Sequence, residues 1–296
     1  MWSAKRLAYV AGRAAGMTYV GLDYPPSAAD VPRYGWGRPP HARLAELFAS
    51  SEATHRQELE TILGYRDELL RIELRAGDPA APSWVQHPVW LLGLDTASLY
   101  AMVRSRAPRR YVEIGSGNST KVVARARRDG GLATHITSID PFPRAEIDAL
   151  CDRVVRAPLE RADLDAFAGL GPGDVVFFDG SHRAFMNSDV TVFFLEVLPQ
   201  LPPGVVVGVH DILLPWDYPP DWGSRYYSEQ YLLAVALLAG DPQVQTLLPC
   251  HHVSVTPALH GILGDLWGDP RLDGVDPRGY AFWFQTGRDF RPPAPL

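Results

Sequence analysis

Four carboxylates stand at or near the ends of short apolar runs. They are Glu113 in Tyr-Val-Glu-Ile-Gly-Ser-Gly (111–117), Asp140 after His-Ile-Thr-Ser-Ile, Asp179 after Asp-Val-Val-Phe-Phe, and Asp211 after Gly-Val-Val-Val-Gly-Val-His. Two histidines accompany them: His182 follows Asp179 by three residues and His210 directly precedes Asp211. Carboxylates can balance a cation, take ribose hydroxyls or ligate a metal, and imidazoles exchange protons near neutrality. Gly115 and Gly117 add another capacity, because they remove side chains where backbone N–H groups must approach a ligand. Gly-x-Gly alone is shared by dinucleotide binders, kinases and ordinary tight turns, so its surroundings decide.

The apolar runs that carry these residues read as strands buried on both faces, joined by helices. Ligands of an open parallel sheet bind beyond the carboxyl ends of its strands. Glu113, Asp140, Asp179, His182, His210 and Asp211 are therefore expected along one edge. Asn118 and Ser119 are expected to cap the helix after the glycine turn, and Asp140, 25 residues beyond Gly115, is near the spacing that brings an acid to a ribose. A NAD fingerprint would need a third glycine where Thr120 stands, and it gives Glu113 no role. Glu-x-Gly-x-Gly suits S-adenosylmethionine instead, whose cationic tail a carboxylate can balance. Glu113, Gly115, Ser116, Gly117, Ser119, Asp140 and Asp179 are expected to hold it, with a NAD-dependent oxidoreductase as the rival reading.

Three further segments extend the pattern: Phe-Phe-Asp-Gly-Ser-His (177–182), Gly-Val-His-Asp-Ile-Leu-Leu-Pro-Trp-Asp-Tyr-Pro (208–219) and Glu-Gln-Tyr-Leu-Leu (229–233). On these and the glycine turn, about residues 60–290 resemble a class I S-adenosylmethionine-dependent methyltransferase, of the branch with Phe-x-Asp-Gly-Ser-His followed by His-Asp. The resemblance implies an α/β, Rossmann-like fold: a seven-stranded, mostly parallel sheet with helices on both faces and an antiparallel last strand. It implies that residues 244–248 and 280–286 pair antiparallel at the sheet edge. It also implies an acid at the adenine amino group; the aligned position is Arg161, with Glu160 and Asp163 beside it, and the sequence leaves the choice open.

Methyl transfer from a sulfonium asks for in-line placement and, for a hydroxyl acceptor, removal of its proton. His182 is the candidate base, on the premise that a histidine near its ordinary pKa can take a proton at neutral pH. Asp179, His210 and Asp211 form a second candidate cluster, catalytic or metal-ligating; carboxylates suit Mg, while one imidazole favours Mn, Fe or Zn. Such an ion could hold a diol or catechol-like acceptor; without it the same groups would orient the acceptor by hydrogen bonds. Trp216, Tyr218, Trp222, Tyr226 and Tyr227 suggest an aromatic loop at the mouth of the site. The expected activity is O-methylation of a small natural-product or sugar-like acceptor. N- or carboxyl-methylation, and a cofactor-binding partner protein without transfer activity, are the alternatives.

The 296 residues, 46% hydrophobic, can bury a full core, and a net charge of −6 without a basic run gives no footprint for nucleic acid. No stretch approaches the ~20 apolar residues of a membrane span. Cys151 and Cys250 share no metal spacing, which agrees with reduced thiols in a cytoplasmic protein. Residues 1–94 are expected to form an accessory segment, with a Pro/Gly-rich tether at 24–40 and one or two helices over 41–75, pausing near Ser50–Thr54. The apolar stripe of that segment needs a partner, either the main domain or a second copy in a homo-oligomer. The cofactor domain is expected at 95–290 with an insertion at 249–279, followed by a frayed tail at 291–296. Within it, helices are expected at 95–106, 121–128, 147–150, 188–198 and 226–238.

Overall fold

The computed structural model describes residues 31–87, 90–240 and 244–287. The expectations for residues 1–30 and for the 291–296 tail lie outside them. Seven strands form one sheet: β1 (Arg110–Ile114), β2 (His135–Ile139), β3 (Arg153–Val155), β4 (Val175–Phe178), β5 (Val206–Val209), β6 (Gln245–Pro249) and β7 (Phe282–Gln285). Their order is β3-β2-β1-β4-β5-β7-β6. The first five are parallel, and β7 runs antiparallel between β5 and β6, with a register irregularity between Thr246 and Leu248. Chain order reverses between β1 and β4, and there the carboxyl ends of two neighbouring strands open a crevice.

Alternation along each strand divides the core into two layers. Tyr111, Ile136, Val175, Phe177, Val206 and Trp283 face one side, where they meet the helices Glu52–Gly64 (α2), Gly93–Arg106 (α3) and Asn118–Gly130 (α4). Val112, Ile114, Val176, Phe178, Val207 and Phe284 face the other, against Ala42–Ser50 (α1) and Glu229–Ala239 (α5). The apolar stripe at 41–75 thus has its partner within this chain: Leu44 and Phe48 join one layer, Leu59, Ile62 and Leu69 the other. The pause near Ser50 is a break at Ser51, whose N–H turns back onto Phe48 and Ala49.

Two expected helices differ. Ile147–Leu150 is a single 3-10 turn at Asp148–Leu150, since only Ile147 has a core to join. Residues 188–198 form an α turn (Asp189–Val192), a π turn (Phe193–Val197) and a 3-10 turn through Pro199. The π turn lets Phe193 stack on Phe178 of β4, with ring centroids 4.4 Å apart. Among the described residues no helix is long and apolar enough to cross a membrane.

Candidate active site

The crevice begins at Gly115. Its φ of +78° is costly for any side chain, and a β-carbon there would lie 1.8 Å from the carbonyl oxygen of Asp179. Glycine therefore allows the ends of β1 and β4 to close on each other, tied by Asp179 N–H to Ile114 O at 2.8 Å. Beyond them lies a cleft of about 430 Å3, lined by Gly115, Ser116, Gly117, Ser119, Asp140 and Asp179 among others. Asp140, at the end of β2, accepts the Ser116 and Phe142 N–H groups, both at 2.7 Å, which folds the glycine turn around its carboxylate. Of the three candidates near adenine, Glu160 lines the cleft, whereas Arg161 and Asp163 do not. Trp90 and Arg144, which sequence reasoning missed, form its outer wall, the guanidinium 4.0 Å from the indole centre. The helix cap falls on Gly117 instead of Asn118 and Ser119; the Gly117 N–H donates to Thr120 Oγ1 at 3.1 Å.

Glu113 does not reach the cleft, which corrects the expected contact with the cofactor tail. Strand alternation turns it to the face of Tyr111, beneath α4, where it is fully buried. It accepts hydrogen bonds from the Tyr111 hydroxyl at 3.0 Å and from Thr120 Oγ1. Burial raises its pKa to about 7, against the pull of the Ser119, Thr120 and Tyr111 hydroxyls. Its place is as an internal brace of the turn. The sequence signal was ambiguous, because a position next to a strand end lies on either side of the sheet according to parity.

Asp179, His182, His210 and Asp211 do converge. His182 Nε2 lies 3.4 Å from Asp179 Oδ1 and 3.6 Å from Asp211 Oδ2; His210 Nδ1 lies 3.4 Å from Asp179 Oδ1 and 3.5 Å from Asp211 Oδ1. Each imidazole has its other nitrogen on a second, fully buried acid: His182 Nδ1 on Glu229 Oε1 at 2.5 Å, His210 Nε2 on Asp95 Oδ2 at 3.3 Å. His182 and Asp211 both occupy left-handed backbone, with φ of +62° and +56°. Such conformations persist where surrounding structure over-determines them, and they gather at functional sites.

The electrostatics overturn the premise of an ordinary histidine. Burial disfavours a charged His182, but Glu229, with Asp211 and Asp179, outweighs it and brings its pKa to about 9. His210 is likewise raised, by Asp179 and Asp211 against burial. Asp179 is lowered: burial opposes its charge, and His210 and His182 prevail. The expected metal trio of Asp179, His210 and Asp211 does lie together, with His210 Nδ1 between the two carboxylates. Among the described residues no group of three or more His, Cys, Asp or Glu is arranged to hold an ion. These residues do not fit a metal in the state described.

Tyr227 packs on His182 with centroids 4.4 Å apart, and Trp222 touches Tyr227, Tyr218 and Tyr280. Trp216 turns away to Trp36 and His251, and Tyr226 is exposed. His251 and His252 lie outside the site, packed with Trp216 and Phe48 respectively. Asp95 and the direct contact of Glu229 were missed. Glu229 had a signal in the Glu-Gln-Tyr-Leu-Leu segment; Asp95, 115 residues before its imidazole, had none.

Residues 112–212 match a family model described as a methyltransferase domain. Nothing among curated proteins matches the chain. Among solved structures it is similar to an O-methyltransferase from Bacillus cereus in complex with SAH (20% identity, 78% of this chain and 91% of that one, TM-score 0.39). It is also similar to Podospora anserina methyltransferase PaMTH1 bound to SAH (19%, 52% and 72%, 0.36) and to plantazolicin methyltransferase BpumL in complex with SAH (13%, 83% and 100%, 0.41). These likenesses are too distant to carry an argument; the domain match and the sheet order carry it, and the matched segment spans every strand end that builds the cleft. Residues 112–212, about a third of the chain, are thus the part that is similar to a methyltransferase domain.

Proposed function

We propose that the enzyme methylates a hydroxyl group on a small natural-product or sugar-like acceptor, with His182 taking the proton. The observation that carries this reading is Asp179: its side chain borders the cofactor cleft and also faces His182 and His210, so donor and proton acceptor share one carboxylate. The cleft fits the cofactor, since only glycine fits at Gly115 and Asp140 stands at the end of β2 for ribose hydroxyls. S-adenosylmethionine supplies a sulfonium-bound, electrophilic methyl group. Gly115 and Asp140 hold and orient, Glu160 stands at the adenine end, Asp179 and Asp211 receive the acceptor hydroxyl, and the Tyr227 and Trp222 rings wall it from water. The proton passes to His182 Nε2.

Incubation with methyl-labelled S-adenosylmethionine and a panel of catechol, phenol, sugar, amine and carboxylic acid acceptors tests this. Label on oxygen of a hydroxyl, lost by roughly 100-fold or more in His182→Gln with SAH affinity retained, is the expected result. Label on an amine or carboxylate, undiminished in that variant, would replace this reading with N- or carboxyl-methylation.

A further inference from the structure

Two buried acids each hold an imidazole of the site, yet they do different things. Asp95 caps α3 by accepting the Leu92 N–H, and it takes the Tyr280 and Ala281 N–H groups at 2.6 and 2.7 Å. Those three bonds explain its burial without any reference to His210. Glu229 has no such employment. It is completely buried, its Oε1 meets His182 Nδ1, and its Oε2 has no partner among the described residues. Burying a carboxylate costs several kcal/mol, and one contact with an imidazole is a poor structural return for it. The backbone enforces the meeting. Ser228, just before Glu229, donates its N–H to His182 O at 2.8 Å, and its hydroxyl accepts the Ala184 N–H at 2.9 Å. The start of α5 is thus stitched to the left-handed turn that carries His182.

We infer that Glu229 is the positioning residue of the site: its carboxylate fixes His182 with Nδ1 turned inward, so that Nε2 is the nitrogen presented between Asp179 and Asp211. The inference rests on His182 being the proton acceptor. In the step it serves, the acceptor oxygen bonds to the methyl carbon, the sulfur–carbon pair stays on sulfur, and the hydroxyl proton moves to Nε2. Glu229 then neutralises the doubly protonated ring. The groups facing His182 are Glu229 from α5, Asp179 after β4, Asp211 after β5 and the Tyr227 ring.

Nitrogen NMR of histidine-labelled enzyme with SAH as the probe ligand tests this without an acceptor in hand, His182 being assigned by its loss in His182→Gln. In wild type, Nδ1 should carry a strongly hydrogen-bonded proton. Glu229→Gln should abolish that signal and lower the titration midpoint of His182 by about one unit or more, with SAH affinity unchanged. Glu229→Asp, which keeps the charge, should restore part of both, and it serves as the folded comparison if Glu229→Gln is unstable. Identical His182 signals in wild type and both variants, whatever their melting temperatures, would overturn the assignment. Full methyl transfer by His182→Gln would instead defeat the base reading and leave the NMR result standing, so the two failures are distinguishable.

Discussion

A β-carbon on Gly115 would lie 1.8 Å from the carbonyl oxygen of Asp179. Gly115→Ala must therefore push β1 and β4 apart as well as adopt an unfavourable φ, and a loss of about 2–4 kcal/mol is expected by urea denaturation. SAH binding by calorimetry should disappear. Gly117→Ala is the contrast: its β-carbon would meet only Arg144 Cβ, at 3.8 Å, so stability should stay within about 1 kcal/mol of wild type. Wild-type SAH binding by Gly115→Ala would refute the contact.

Asp140 offers two oxygens to two N–H groups of the cleft wall, and asparagine offers one. A hydrogen bond to a charged group contributes about 1.5–3 kcal/mol. Asp140→Asn should weaken SAH roughly tenfold or more, whereas Glu113→Gln, outside the cleft, should leave its affinity near wild type. Equal losses in both would restore Glu113 as a cofactor contact.

Buried Glu113 gives up its proton at about 7 in the folded protein, against 4.5 ordinarily. A raised pKa makes its contribution whole below the unfolded value and lost as pH rises through the folded one. Glu113→Gln should therefore gain on wild type as pH climbs from about 5 to 8, by up to about 3 kcal/mol. Glu229 has the same raised value but cancels in the difference. Melting curves across that range decide it, and a constant gap between the two proteins would contradict the burial argument.

His182 near 9 implies an alkaline rate profile, because the base must be unprotonated to act. Once an acceptor is in hand, kcat/KM should rise through neutrality and level off near pH 9. His182→Gln should flatten that limb. A plateau already reached at pH 6.5 in wild type would mean another group removes the proton.

Chelation with EDTA is expected to leave turnover intact, since among the described residues no group of three or more His, Cys, Asp or Glu is arranged to hold an ion. Loss of activity, restored by magnesium or manganese, would turn Asp179, His210 and Asp211 into an ion site after all.

Strand-forming runs and their terminal acids were legible because a strand buried on both faces writes itself as a continuous apolar stretch. Gly115, Asp140 and Asp179 could be read from that pattern alone, and His182, His210 and Asp211 needed only their closeness to strand ends. Long-range partners were not legible. Asp95 meets His210 across 115 residues, and Glu229 meets His182 across 47, and no local periodicity encodes either contact. Glu113 was misplaced for a related reason: spacing locates a strand end, but the face is decided by the parity of the strand against its helices.

Local chemistry by itself therefore determined the class of fold, the cofactor turn and the set of ionisable groups at the sheet edge, because each depends on residues close in sequence. Only the packed structure decided which acids hold which imidazoles, which carboxylates keep their protons and which residues face the cleft. Those are properties of burial and distance, and they exist only once both layers have closed on the sheet.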